Sequence, residues 1–194
     1  MKGQTMEKIA KISKIFKILF ITAFFLVPVA SLCFWLFIND IPKHLLQGGP
    51  ISLASPIQTP EGWFYFGERP LSLLSRGLGF LSSFFYDTAM MLGLYYLIRL
   101  FSLYEKGAIF TSENVKAYKI LGYTLFSYAL FIKPIAEGIM VTAVTFSNPP
   151  GHRYFSIGFG TPNVGYIMIG ALIILISWVM NEGKKLQEEQ SYTI

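Results

Sequence analysis

The sequence predicts an all-α fold: an integral membrane four-helix bundle with two outward Pro/Gly-rich loops. Three observations carry this. The chain of 194 residues is 53% hydrophobic and only 14% charged, with mean hydropathy +0.51, whereas soluble domains hold roughly 25% charged residues. Four apolar stretches, each long enough to cross a bilayer, alternate with polar or proline-rich segments. Lys and Arg crowd onto alternate connections, as they do where a bilayer sorts charge. The length suits one membrane domain, 1–194. Eighteen Phe and eleven Tyr also suit lipid-facing and interfacial positions.

The first predicted helix covers about 18–38. Lys8, Lys11, Lys14 and Lys17 precede it, and its apolar run measures about 30 Å at 1.5 Å per residue. A secretory leader would have a shorter apolar run and a small-residue cleavage site. Here Phe34, Trp35, Leu36 and Phe37 continue the run, so the segment is expected to be a retained helix with a mild kink at Pro28. The first outer loop, 39–76, holds Pro42, Pro50, Pro56, Pro60 and Pro70, with Gly48 and Gly49, and is expected to lack regular structure. Its aromatic run, Trp63 to Phe66, is too short to span. It is expected at the interface or against helix ends, with a ligand-stacking platform as the sharper reading.

The second helix is expected over about 77–100, bracketed by Arg76 and Arg99 and interrupted by Asp87. After a short turn, Thr111 is a candidate N-cap, with Asn114 three residues on. The third helix covers about 120–146 and contains Lys133, Pro134 and Glu137. A second outer loop, 147–162, leads to an uncharged fourth helix, about 163–180, and a polar tail.

Orientation follows from Lys and Arg. One side holds Lys2, Lys8, Lys11, Lys14, Lys17, Arg99, Lys106, Lys116, Lys119, Lys184 and Lys185; the other holds Lys43, Arg69, Arg76 and Arg153. The richer side is cytoplasmic, which places both termini inside and both proline-rich loops outside. No internal repeat is evident, so an inverted-repeat transporter is not supported.

Catalytic signatures are absent from the sequence: no GxSxG, no HExxH, no phosphate-binding glycine loop. No enzyme and no cofactor are expected. His44 and His152 lie on different outer loops and read as loop residues rather than metal ligands. Cys33 is the one cysteine, so no intramolecular disulfide forms. The net charge of +5 comes without a DNA-reading motif, and no direct nucleic-acid binding is expected.

The unusual chemistry is at membrane depth. Asp87 lies eleven residues from Arg76 and twelve from Arg99, about 16–18 Å from either. Ionisable groups there are costly and need partners. Asp87, Lys133 and Glu137 are expected to form one buried cluster, with Lys133 and Glu137 one turn apart on the same face. Pro134 is expected to free the Leu130 carbonyl. Such a cluster either pins helices together or serves an ion, proton or ligand; both readings stay open.

Two stretches, YEKGAIFTSENVKAYKILGY from Tyr104 and NEGKKLQEEQSYTI at the tail, resemble the bacterial membrane family catalogued as domain of unknown function 2975. The matching positions are Gly107, Phe110, Thr111 and Asn114, then Gly183, Leu186, Glu188, Glu189, Thr193 and Ile194. The resemblance covers the second to fourth helices, with the first fitting by layout. It implies a four-helix bacterial inner-membrane protein whose relatives often have a small helix-turn-helix regulator encoded beside them. No activity comes with the family, and the long aromatic first loop departs from its pattern.

The expected function is therefore non-enzymatic: sensing or tethering through a cytoplasmic partner such as that regulator. Gly107, Phe110, Thr111, Glu113, Asn114, Glu188 and Glu189 are the expected contact residues. Alternatively, Gly107 merely turns the chain and Thr111 caps a helix. The rival function is a small transporter or channel subunit using the intramembrane charges. Besides the lipid bilayer, self-association is the other compatible partner.

Overall fold

The structure is a computed structural model that describes residues 2–47 and 52–192. Gly48, Gly49 and Pro50, and Thr193 and Ile194 of the tail motif, lie outside the described residues. The element order is α1 (Lys2–Phe37), α2 (Lys43–Leu46), β1 (Ile57–Thr59), β2 (Gly62–Phe64), α3 (Leu73–Glu105), α4 (Ser112–Ser127), a π turn (Tyr128–Ile132), α5 (Lys133–Thr145) and α6 (Thr161–Tyr192). Helix dominates, as expected, but the helices outrun their apolar stretches because their polar ends continue the same backbone hydrogen-bond ladder. Pro28 stays inside α1.

Among the described residues, three helical stretches are long and apolar enough to cross a membrane: Met6–Phe37, Ser112–Thr145 and Thr161–Gln190. The helix expected at 77–100 has the length, 33 residues in α3, but not the apolarity. Asp87 and the tyrosines Tyr86, Tyr95 and Tyr96 lower it. Only 6% of the apolar window of α1 is buried inside the protein, and Phe25, Leu26, Trp178 and Val179 point outward. Apolar side chains on that scale suit a lipid surround rather than water.

The chain forms two compact units: residues 1–26, 88–130 and 161–194, and residues 27–87 and 131–160. In the first, α4 and α6 run antiparallel in close contact. Asn163 donates to the Ala129 carbonyl at 2.8 Å. A Cβ on Gly170 would stand 3.0 Å from the Gly122 carbonyl oxygen. Ser177 donates to the Val115 carbonyl at 3.0 Å. Residues 163, 170 and 177 thus stand against 129, 122 and 115, a seven-residue step on both helices, the spacing that keeps one seam facing a partner. Small residues let the backbones approach, and the polar ones bond across the seam.

The π turn explains one rung of this ladder. In a π register the donor lies five residues on, so the Ala129 carbonyl looks to residue 134. That residue is Pro134, which has no N–H. Asn163, fully buried, supplies the missing donor from α6. The orphaned carbonyl is therefore that of Ala129 rather than Leu130, because the wider turn shifts the register by one.

The second unit contradicts the expectation of an irregular first loop. Here α2 and an antiparallel hairpin form, with Ile57 opposite Phe64, Gln58 opposite Trp63 and Thr59 opposite Gly62. Pro60 and Glu61 make its turn, where a proline's missing donor costs nothing. Strand alternation sorts the aromatics: Trp63 is 59% exposed and Tyr65 37%, while Phe64 and Phe66 are buried. The buried pair joins Trp35, Ile38, Leu46, Leu71 and Val144 in one core. Asn39 fastens the loop's return, donating to the Leu71 carbonyl at 3.0 Å and accepting from the Leu71 N–H at 2.9 Å. Trp35 lies across Gly79, where a Cβ would sit 2.1 Å from its ring, and donates to Ser83 one turn on at 2.8 Å.

Candidate functional site

Two arrangements have chemistry, one in each unit. In the first unit, Gly107 ends the turn after α3 with φ +74°, a left-handed conformation that costs glycine little. Thr111 then caps α4, its hydroxyl accepting the Asn114 N–H at 3.3 Å. Asn114 is fully buried, and its Nδ2 donates to the carbonyls of Ala108 and Ile109, both at 2.6 Å. Gly107, Thr111 and Asn114, expected as partner contacts, are thus occupied in shaping the turn. Phe110 remains 43% exposed, and its ring edge lies 2.9 Å from the Cβ position of Gly183 on α6. The two stretches that carry the family resemblance therefore meet, ring on glycine.

Charge surrounds this contact. Glu113 pairs with Arg99 at 3.3 Å and Glu188 with Lys184 at 3.3 Å. Lys185 pairs with Glu182 at 2.7 Å, and Glu189 is exposed beside them. Glu105 is taken by Lys17 of α1. Such exposed pairs contribute little to stability, so their value to this face is as a patterned, mixed-sign surface.

In the second unit the three charges expected at membrane depth do not close into one cluster. Lys133 pairs with Glu137 one turn away, as the spacing predicts. Asp87 instead lies beside the Ser31 hydroxyl of α1, and no ion pair joins it to Lys133 among the described residues. A serine hydroxyl left no signal at sequence level, because its partner depends on how α1 and α3 face each other here.

Glu137 borders a cleft of about 670 Å³, formed by the hairpin, Tyr86, α5 and the 156–158 segment. Ile57, Trp63, Tyr86, Met140 and Gly158 line it, with Glu137 the one charged residue among the described lining. Sequence reading missed this cleft, because its walls are up to about a hundred positions apart; the exposed alternation at Trp63 was the available clue. Beside it, Glu61 in the hairpin turn accepts from Tyr154 at 2.9 Å and pairs with His152. Those hydrogen bonds, His152 first, hold the Glu61 carboxyl below its ordinary range, and donating to Glu61 pushes the Tyr154 phenol up. His152 is thus a tie between the hairpin turn and the 147–160 segment, and no group of three metal-binding side chains occurs among the described residues.

The model of a family described as "Protein of unknown function (DUF2975)" matches residues 18–194. The match takes in the apolar part of α1 as well as the motifs at Gly107–Asn114 and Gly183. No curated protein and no solved structure matches the chain.

Proposed function

We propose, since the chain belongs to the family described as protein of unknown function DUF2975, that it is a non-enzymatic bacterial inner-membrane protein that tethers a cytoplasmic partner. Four spans are proposed, α3 being the fourth, with the N- and C-terminal segments and the 106–119 turn in the cytoplasm. The Lys/Arg asymmetry supports this orientation. In a Cys33→Ser background, a cysteine at the exposed Gln58 is expected to react with an impermeant thiol reagent on intact cells. One at the exposed Ser112 is expected to react only after the membrane is opened. Labelling of Ser112→Cys from outside would overturn the orientation.

The observation that carries the tethering reading is the packing of Phe110 on Gly183. It unites the two resemblance-bearing stretches in one face with Glu113, Lys116, Glu188 and Glu189 exposed around it. By family resemblance the client is a small helix-turn-helix regulator. Its capture from mild-detergent extracts is expected to fall about tenfold, roughly 1.4 kcal/mol, when Glu113, Glu188 and Glu189 are all changed to Lys. These positions are exposed, so the fold is expected to survive. Undiminished capture would remove the docking face. A second reading, a small transporter or channel subunit, draws its support from the Lys133–Glu137 pair beside a cleft.

A further inference from the structure

We propose that the cleft of the second unit binds an organic cation, an arylalkylammonium in which a protonated amine adjoins an aromatic or apolar body. This goes beyond the tethering reading and does not depend on it. The volume of about 670 Å³ falls within the range of small-molecule sites, about 300–1,000 Å³. Its lining pairs aromatic and apolar surface with one acidic group.

The charge argument rests on Glu137. Its Oε1 is taken by Lys133, which is not among the lining residues. Its Oε2 lies 3.9 Å from where a Cβ on Gly158 would stand, and Gly158 itself lines the cleft. Lys133 takes Oε1, so Oε2, on the Gly158 side, is the oxygen that faces an occupant. A guest without a donor would leave it unsatisfied, a neutral donor would give it the weaker bond, and an anion would meet it as a like charge. A protonated amine satisfies it with a charge-assisted hydrogen bond.

The apolar body has its own surface. Trp63 is 59% exposed because strand alternation turns it away from the core, and it lines the cleft. An indole face attracts cations and stacks on rings. Pro56 and Pro60 hold the neighbouring hairpin backbone with little freedom to lose on binding. The small Gly158 keeps the wall beside the carboxylate low, so an ammonium can approach Oε2.

Phenethylammonium, with phenylacetate as its anionic counterpart, is titrated calorimetrically into the full chain in a non-ionic detergent, with empty micelles as the blank. Saturable binding of phenethylammonium, one per chain, is expected, and none of phenylacetate. Glu137→Gln alone leaves Lys133 unpaired and can impair folding. The decisive variant is therefore the Lys133→Met/Glu137→Gln double, in which no charge is left without a partner. Its affinity is expected to fall roughly ten- to hundredfold, the loss of one charge-assisted hydrogen bond. Trp63→Leu, at an exposed position, is expected to weaken binding severalfold. No saturable binding of the cation overturns the proposal. So does equal binding of both probes, or unchanged affinity in the double variant.

Discussion

Gly122→Leu is expected to cost about 3 kcal/mol or more and to separate α4 from α6. A side chain there would enter Ile174 at 2.4 Å and the Gly170 carbonyl oxygen at 2.9 Å. Ile174 can rotate, but the carbonyl belongs to a helix backbone and cannot. Overpacking of this kind costs about 1–3 kcal/mol. Opening the seam also strains the Asn163–Ala129 and Ser177–Val115 bonds, each worth about 0.6 kcal/mol on average in membrane proteins and up to about 1.7. Thermal unfolding in detergent measures the loss. Gly165→Leu is the control, since a Cβ there meets nothing within 4 Å although it lies on α6, the partner helix of the same seam. Similar losses in both variants would show that the ladder does not decide the stability of α4 on α6. Under the tethering reading, capture falls with Gly122→Leu as well, because Phe110 sits in the turn that leads into α4 and Gly183 lies on α6.

The second large effect concerns the Lys133–Glu137 pair. Lys133→Met is expected to lower the folded yield, and Glu137→Gln added to it to restore most of that yield. Removing one member of a buried ion pair costs about 3–5 kcal/mol, because the other charge stays behind. Lys133 is only 15% exposed, but Glu137 is 36% exposed, so water at the cleft keeps the effect at or below the low end. Asp87→Asn added to Lys133→Met is expected to restore nothing, because Lys133 pairs with Glu137 and not with Asp87 among the described residues. Rescue by Asp87→Asn but not by Glu137→Gln would reinstate the Asp87–Lys133 partnership expected from the sequence. Size-exclusion profiles of the detergent-extracted variants read the outcome directly.

The difference between those two pairings shows where sequence reasoning stops. Lys133 and Glu137 are one turn apart on a single helix, and helical geometry alone brings them together. Asp87 has no partner on its own helix, and similar depth in the bilayer does not fix which way it faces. The same distinction separates Thr111 from Phe110. A cap is a bond within four residues, so the sequence announces it. The packing of Phe110 on Gly183 spans 73 positions and depends on how α4 and α6 meet. Asn114 misled for a related reason. As part of the motif that carries the family resemblance it was expected as a partner contact, whereas the turn's own carbonyls claim it.

What the sequence by itself determined was everything set by one helix and its solvent. Apolar length separated by polar punctuation defined the long helices, because a bilayer core demands about 20 apolar residues of backbone that satisfies itself. The short motifs around Gly107 and Gly183 identified the family. Tertiary structure alone decided the rest. The α4–α6 ladder needs two glycines 48 positions apart to face each other, and the π turn matters because Asn163 lies opposite Ala129. The proline-rich first loop folds into a hairpin because Phe64 and Phe66 find Trp35 and Val144 to bury against. The cleft at Glu137 exists only once that hairpin stands beside α5. Each of these depends on distant side chains excluding solvent together, and a contact between distant residues leaves no periodic trace in the chain.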